Sequence, residues 1–333
     1  MNRKLLIGSI SVLLIATAVG LAIFLSGNKK GSTDMPTVRY AAPLTIAAAP
    51  IYVADAKGLW AEENVDVRVS YFDSGRKALD ALLSNSAEVM SVSETPPLRA
   101  YLAGSEISIV ATATEHREAK MTVRADRITK PEDVRGKKVG TVAGTNSDYY
   151  MYRWLETHDI GVDEVEIIQL DAAPLAQAFV QGNIDVMFAW EPHNFNASSK
   201  LSSSQAESWP TEEYNGRHTI VMNTAYLRNH GDNAERIIKG LIRAEKYIED
   251  NPEDAKRIVS ERTGMSSEAL NALWDEYKYK VQLDNELSDI IGGQATWIKA
   301  AMSGDSATDV AHLVNATYLL NVDKNRVGDR FKL

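Results

Sequence analysis

Five stretches of the chain concentrate side chains that could hold a small polar solute without covalent chemistry. They are Pro43-Leu44, Ser74-Gly75, Ser93-Glu94-Thr95, Gly144-Thr145-Asn146-Ser147-Asp148 and Trp190-Glu191. Each lies where an apolar, strand-like stretch gives way to a turn or to a helical pattern. In open α/β sheets, ligands collect at the carboxyl ends of strands, beside helix N-termini. Those termini offer free N–H groups and partial positive charge, and Ser and Thr hydroxyls add adaptable donors. Trp190 would supply an apolar wall. The same residues also have plainer roles. Ser74 and Thr95 suit helix caps, Gly144 to Ser147 an ordinary N-cap loop, Trp190 core packing, and Glu191 an ion pair with Lys or Arg. The loops carry Asp73, Glu94, Asp148 and Glu191 against Arg76 as the nearest base. A bare dianion matches that balance poorly. A zwitterion, an amine-bearing solute or a neutral heterocycle fits it better, because a buried carboxylate needs a partner.

Constellations that would do covalent or metal chemistry are missing from the sequence. The histidines at 116, 158, 193, 218, 230 and 312 form no close-spaced ligand pair, and His193 reads as a helix-surface residue. Gly136, Gly140 and Gly144 mark a glycine-bearing strand region but no GK[ST] follows, and neither GxGxxG nor GxSxG occurs. The expectation is a binding protein with no catalytic residues, no metal and no cofactor.

The elements that must position these loops alternate. Strands are expected at Val38–Ala41, Val65–Phe72, Glu88–Val92, Ile107–Ala113, Met121–Ala125, Lys138–Val142, Val165–Leu170, Val186–Trp190 and Thr219–Asn223. Most are short and Val/Ile-rich without strict polar alternation, which suits strands buried on both faces. Helical patterns lie between them at Pro50–Glu62, Arg76–Ser84, Pro97–Ala103, Asp148–His158 and Ala173–Gln181. After about residue 224 the strands are expected to stop. Ala234, Ile237, Ile238, Leu241, Ile242 and Ile248 repeat at helical spacing over Asn233–Asp250, and Asn251-Pro252 opens the next helix. Further helices are expected at Ser267–Tyr277, Asn285–Met302 and Thr308–Asn315, giving a helical layer without a sheet of its own.

A chain of 333 residues exceeds one ordinary core, so two lobes are expected. Cysteine is absent, which removes disulfides, thiol chemistry and cysteine-linked lipid anchors. The net charge of −9 argues against a nucleic-acid partner. That charge is split. Arg3, Lys4, Lys29 and Lys30 give residues 1–33 a charge of +4, which leaves 32 basic against 45 acidic groups, or −13, on the remainder. Leu5 to Leu25 is an uncharged apolar run of 21 residues, long enough as a helix to span a hydrocarbon core of about 30 Å. The small-residue site Ala16-Thr17-Ala18 falls inside that run rather than after it. An uncleaved anchor in the inner membrane is therefore expected over a cleaved signal peptide, followed by a polar tether.

Several segments, in order, resemble the nitrate/sulfonate/taurine-type solute-binding proteins of ABC importers, within the NMT1/THI5-like superfamily. They are Ala49-Pro50-Ile51-Tyr52-Val53-Ala54 with Lys57-Gly58-Leu59-Trp60; Ser74-Gly75 with Ala78-Leu79-Asp80-Ala81-Leu82; and Asp133-Val134-Arg135-Gly136-Lys137-Lys138-Val139-Gly140 leading into Gly144-Thr145-Asn146-Ser147. The last is Ala178-Phe179-Val180-Gln181-Gly182-Asn183-Ile184-Asp185-Val186 running into Trp190-Glu191-Pro192. The resemblance covers about residues 37–285. It implies an α/β, two-lobed periplasmic-binding-protein fold of type II with mixed sheets, a hinge and a C-terminal helical layer. Lobe one is then residues 36–124 with 216–333, and lobe two is residues 125–215. The solute would sit between them, and the protein, a monomer outside the cytoplasm, would deliver it to an ABC permease and its ATPase. Two features depart from the family: no lipid-bearing cysteine, and Ser93-Glu94-Thr95 where a small-residue loop suits a simple anion. Alternatives are a membrane-tethered sensing domain and a binding protein for a nitrogen heterocycle such as a pyrimidine. A related enzyme branch that makes a thiamine pyrimidine precursor uses a cysteine-rich motif that this sequence lacks.

Overall fold

Short apolar runs build two separate mixed sheets in the computed structural model, which describes residues 35–117, 119–209, 214–301 and 309–332. The expected anchor at 5–25 and its tether lie outside the described residues, as do the ends expected for helices at Met302 and Thr308. The description concerns the compact unit Thr37–Leu333. Among the described residues no helix is long and apolar enough to cross a membrane.

The chain begins with β1 (Thr37–Pro43), α1 (Ala49–Ala56), β2 (Asp66–Phe72), α2 (Gly75–Leu83), β3 (Val89–Ser93), α3 (Thr95–Leu102) and β4 (Ile107–His116). It crosses into β5 (Lys120–Val123), β6 (Lys138–Thr141), α4 (Asn146–Thr157), β7 (Glu166–Gln169), α5 (Ala172–Val180), β8 (Val186–Ala189), α6 (His193–Ser198) and β9 (Glu207–Trp209). It returns through β10 (Gly216–Asn223), α7 (Thr224–Asp250), α8 (Pro252–Thr263), α9 (Ser267–Leu273), β11 (Tyr277–Gln282), α10 (Asn285–Ala301) and α11 (Thr317–Val322).

One sheet has the order β11-β4-β10-β3-β1-β2, and the other β7-β6-β8-β5-β9. In the first, β1 runs parallel to β2 and β3, while β10 runs antiparallel to β3 and β4. In the second, β6 runs parallel to β7 and β8, and β5 antiparallel to β8 and β9. The six-stranded sheet shares one apolar core with the helices that follow residue 224. The five-stranded sheet is covered on both faces: Val186 and Phe188 point into one cluster, Met187 and Ala189 into the other. That two-sided burial is why these strands read as continuous apolar runs.

The structure corrects the sequence reading in several places. The C-terminal third does contain a strand. β11 pairs antiparallel with β4 and closes one edge of the six-stranded sheet. Its pattern was legible: Tyr277 and Val281 are buried while Lys278 and Lys280 are exposed, and lysines on an edge discourage further pairing. The short β9 lies outside the expected strands, whereas α6 agrees with the helix expected at His193. Finally, α7 begins at Thr224 rather than Asn233. The Asn223 side chain caps it by accepting from the Ala225 and Tyr226 amides. Non-helical geometry at His230 (φ −139°, ψ 39°) divides the helix and hides the joined pattern from a periodicity count.

Gly240 of α7 lies against Trp60, whose Nε1 donates to the Ile237 carbonyl at 3.2 Å. A Cβ at 240 would overlap the indole Cδ1. Ala is worth about 1 kcal/mol more than Gly inside a helix, but overpacking a rigid buried ring costs about 1–3 kcal/mol. Gly240→Ala is therefore expected to lower the urea midpoint despite the gain in propensity. An increase would show that the ring gives way.

Candidate functional site

The carboxyl ends of strands from both sheets meet across one small cavity. From the six-stranded side come Pro43 and Thr45 after β1, Gly75 and Arg76 opening α2, Val92 and Ser93 ending β3, Pro96 in α3 and His218 of β10. From the five-stranded side come Thr145 and Asn146 opening α4, and Trp190 after β8. The cavity holds about 30 Å³, room for about two water-sized spheres. It adjoins an outer basin of about 220 Å³, and both are lined by Arg76 and Thr145. The two sides touch: Thr45 Oγ1 donates to the Glu191 carbonyl at 3.4 Å.

Local chemistry explains the walls. A Cβ at Gly75 would overlap Val92 Cγ2, so only glycine lets α2 start this close to β3. Ser74 caps that helix, accepting from the Lys77 amide. In the loop before α4, Gly144 adopts a left-handed φ of +73°, the conformation glycine adopts most readily. Asp148 Oδ2 accepts from the Gly144 amide at 2.9 Å, and Thr145 Oγ1 donates to the Val142 carbonyl at 2.7 Å. The loop is thereby held by its own side chains, which leaves Asn146 turned to the cavity. Asn146 Nδ2 is buried without a hydrogen-bond partner, as are Thr95 Oγ1, Ser147 Oγ and both ring nitrogens of His218. Unpaired buried polar groups are costly, and clustered around a cavity they indicate a missing polar partner.

Of the sequence-predicted residues, Pro43, Gly75, Ser93, Thr145, Asn146 and Trp190 line the cavity, and Ser74 lines the outer basin. Thr95 and Ser147 are buried beside them in the helix starts. Leu44 instead ties β1 to β2, its amide donating to the Phe72 carbonyl at 2.8 Å. Gly144 and Asp148 shape the loop. Glu94 is fully buried and accepts from Tyr214 Oη, from the Arg217 amide at 2.9 Å and from Gln294 Nε2 at 2.6 Å. Glu191 turns to Lys120 Nζ at 3.4 Å and to the Phe195 amide at 2.8 Å. Lys120 in turn reaches Glu276 Oε1 at 2.8 Å, on the other sheet's side. The acid-rich balance of the loops is thus largely satisfied internally. Arg76, by contrast, has no ion pair or hydrogen bond among the described residues.

His218 and Val92 were not singled out, and Arg76 entered only as the nearest base. His218 sits in mid-strand with no local signal. The antiparallel register of β10 on β3 places it opposite Ser93.

Burial raises the Glu94, Asp148 and Glu191 carboxyls above their ordinary range, in Glu191 against the pull of Lys120. It pushes the His193 and His116 imidazoles down, His116 further lowered by His218 and Arg217. His218 is pushed down to about 3, so it faces the cavity as a neutral ring. The unfolded chain takes up a proton at this ring near pH 6.5 whereas the folded chain does not, so its contribution to stability declines as pH falls between 6.5 and 3. Against His218→Gln, the wild type is expected to lose up to about 2 kcal/mol between pH 6.5 and 5, with no pH-dependent difference above pH 7.5. Parallel urea titrations across that range check it; a constant difference would refute it.

A family model described as NMT1/THI5 like matches residues 45–255. YtlA of Bacillus subtilis (strain 168) is 24% identical over 218 residues, 62% of this chain and 64% of that protein. The taurine-binding periplasmic protein of Escherichia coli (strain K12) is 26% identical over 213 residues, 62% of this chain and 65% of that protein. The chain thus matches just under two thirds of the length of these relatives. In fold it is similar to the alkanesulfonate-binding protein SsuA from Xanthomonas axonopodis pv. citri bound to MOPS. The TM-score is 0.72 at 16% identity, over 84% of this chain and 98% of that one.

Proposed function

The chain belongs to the NMT1/THI5-like family, and from that premise we propose that it is the solute-binding component of an ABC importer. It captures a small polar organic solute of the sulfonate, taurine or nitrate class between two lobes and delivers it to a permease driven by an ATPase. The lobes follow the two sheets, residues 36–119 with 216–333, and 120–215, joined at the two crossings. The first boundary falls before β5 rather than at 124, because β5 pairs with β8 and β9. The work is done outside the cytoplasm by a monomer that residues 5–25 tether to the inner membrane. Binding needs no covalent step: closure of the lobes traps the solute by hydrogen bonds and shape.

The observation that carries this reading is the cavity itself. It takes its lining from both sheets and is ringed by buried polar groups that lack partners. In this assignment Asn146 Nδ2 and the helix-start amides at Gly75, Arg76 and Asn146 donate to an anionic or polar head. His218 adds a neutral ring nitrogen, Arg76 supplies the countercharge, and Trp190 supplies the apolar wall. Ser93 and Thr145 complete the lining. Glu94 and Glu191 act from behind it, as structural acids.

A thermal-shift panel tests it. Sulfonates, taurine, nitrate, aromatic acids and pyrimidines are offered to the purified protein. A ligand that binds only the folded state raises the melting temperature, with the stabilisation growing as RT ln(1 + L/Kd), where L is the free ligand concentration. At least one sulfonate-class compound is expected to do so. A response to pyrimidines alone would redirect the reading to heterocycles, and no response to any compound would sink it.

A further inference from the structure

The helix α10 presents apolar faces to both halves of the molecule. Leu287, Ile291, Ala295 and Ile298 repeat at helical spacing and are buried in the core of the six-stranded side. Ile290 and Trp297, two turns apart on a neighbouring face, pack against the core of the five-stranded side. Trp297 touches both cores. Its indole meets two tyrosines of α4, with ring centroids 5.3 Å from Tyr149 and 5.4 Å from Tyr152. Tyr149 in turn meets Tyr214 edge-on at 5.7 Å, on the return crossing, and Tyr214 Oη donates to Glu94. From α3, the Arg99 guanidinium stands 5.8 Å from the indole centre, and Arg99 Nε lies 3.4 Å from where a Cβ at Gly144 would sit. These contacts tie α3 and α10 to α4. The first turn of α3 brings Pro96 to the cavity and the first turn of α4 brings Asn146, so the same contacts set how far apart the two walls stand. Neither Trp297 nor Arg99 lines the cavity itself.

Resting on the solute-capture reading above, we infer that Trp297 is a positioning residue for capture. With Arg99 it forms a clasp from α10 and α3 onto α4 that favours the arrangement in which the two sides close the cavity. Aromatic pairs stabilise beyond their buried area, and a cation over a ring adds to them. The buried stripe of α10 keeps that helix with the six-stranded core, so hinge opening slides the indole off α4 and loses these contacts. Solute affinity therefore depends on a ring that never touches the solute.

Spin-label distances in the full-length chain, held in mild detergent, test the inference. The sequence has no cysteine, so Asp80→Cys on α2 and Gln177→Cys on α5 place a clean pair of labels. Both positions are exposed, on helices that border the outer basin from opposite sides. Without any solute, Trp297→Ala is expected to raise the share of the longer, open distance about tenfold over the labelled parent. That is the scale of two aromatic pairs with one cation–π contact. Trp297→Phe keeps a ring against α4 and should restore most of the parent distribution. A lower melting temperature with unchanged distances would make Trp297 a packing residue only and overturn the clasp. So would a Phe variant as open as the Ala variant. Propanesulfonate is then added to the labelled parent, where it should suppress the open distance. No response there would count against the sulfonate-class reading, while the solute-free distances still decide the clasp.

Discussion

Glu94→Ala is expected to destabilise the protein by about 3–5 kcal/mol, the range for removing one partner of a buried ionic or hydrogen-bonded cluster. The Glu94 carboxyl is fully buried and serves three donors from distant parts of the chain. Tyr214 stands on the return crossing between the sheets, the Arg217 amide belongs to β10, and Gln294 comes from α10. Alanine removes the acceptor that all three share and opens a cavity behind α3. Arg217 adds to the effect, because its guanidinium, also buried, pairs with Asp284 at 2.8 Å and Glu286 at 2.6 Å. The Glu94 amide anchor therefore sits beside a second network linking β10 to α10. Glu94→Gln keeps the shape and one acceptor oxygen, so its loss should be smaller, about 1–3 kcal/mol. Urea unfolding of both variants, with the m-value monitored to confirm a two-state transition, checks the order. Equal and small losses would show that the three donors find water or new partners.

Asn146→Ala is expected to act in opposite directions on stability and on binding. In the structure, Asn146 is buried at the start of α4 with its Nδ2 unpaired. Removing an unsatisfied donor relieves a desolvation penalty, so the free protein should hold its stability or gain up to about 1 kcal/mol. A hydrogen bond to a charged head is worth about 1.5–3 kcal/mol, so affinity for the best ligand of the thermal panel should fall about 10- to 100-fold. That pairing of a stable protein with weak binding is the signature of a group kept for function rather than for folding. Melting temperature and calorimetric affinity are measured on the same preparation. Lost stability with unchanged affinity would place Asn146 among the ordinary helix-start residues.

Much of the scaffold was legible because it is written locally. β8 reads as an apolar run since both faces are buried, and α8 is announced by Asn251-Pro252 with acids in its first turn. Gly58, at φ +65°, ends α1 earlier than the expected helix to Glu62. β11 alternates plainly, but its six residues lie between helices on both sides, so the strand pattern is outweighed locally. Strand-end loops were found as a class, and six of the predicted residues do face the cavity. The acids among them do not: Glu94 and Glu191 turn to partners far along the chain, which no local pattern encodes.

The sequence by itself determined the alternation of elements, the size that calls for two lobes, the helix starts and the absence of familiar catalytic motifs. Each of these depends on residues within a few positions of one another. Only the tertiary structure decided which side chains share the cavity. His218 arrives through the register of β10 on β3, and Arg76 and Thr145 come from opposite sides of the cavity. Such convergence is set by strand pairing and lobe packing over long separations. The unsatisfied groups that mark the site are visible only once every other polar group has found its partner.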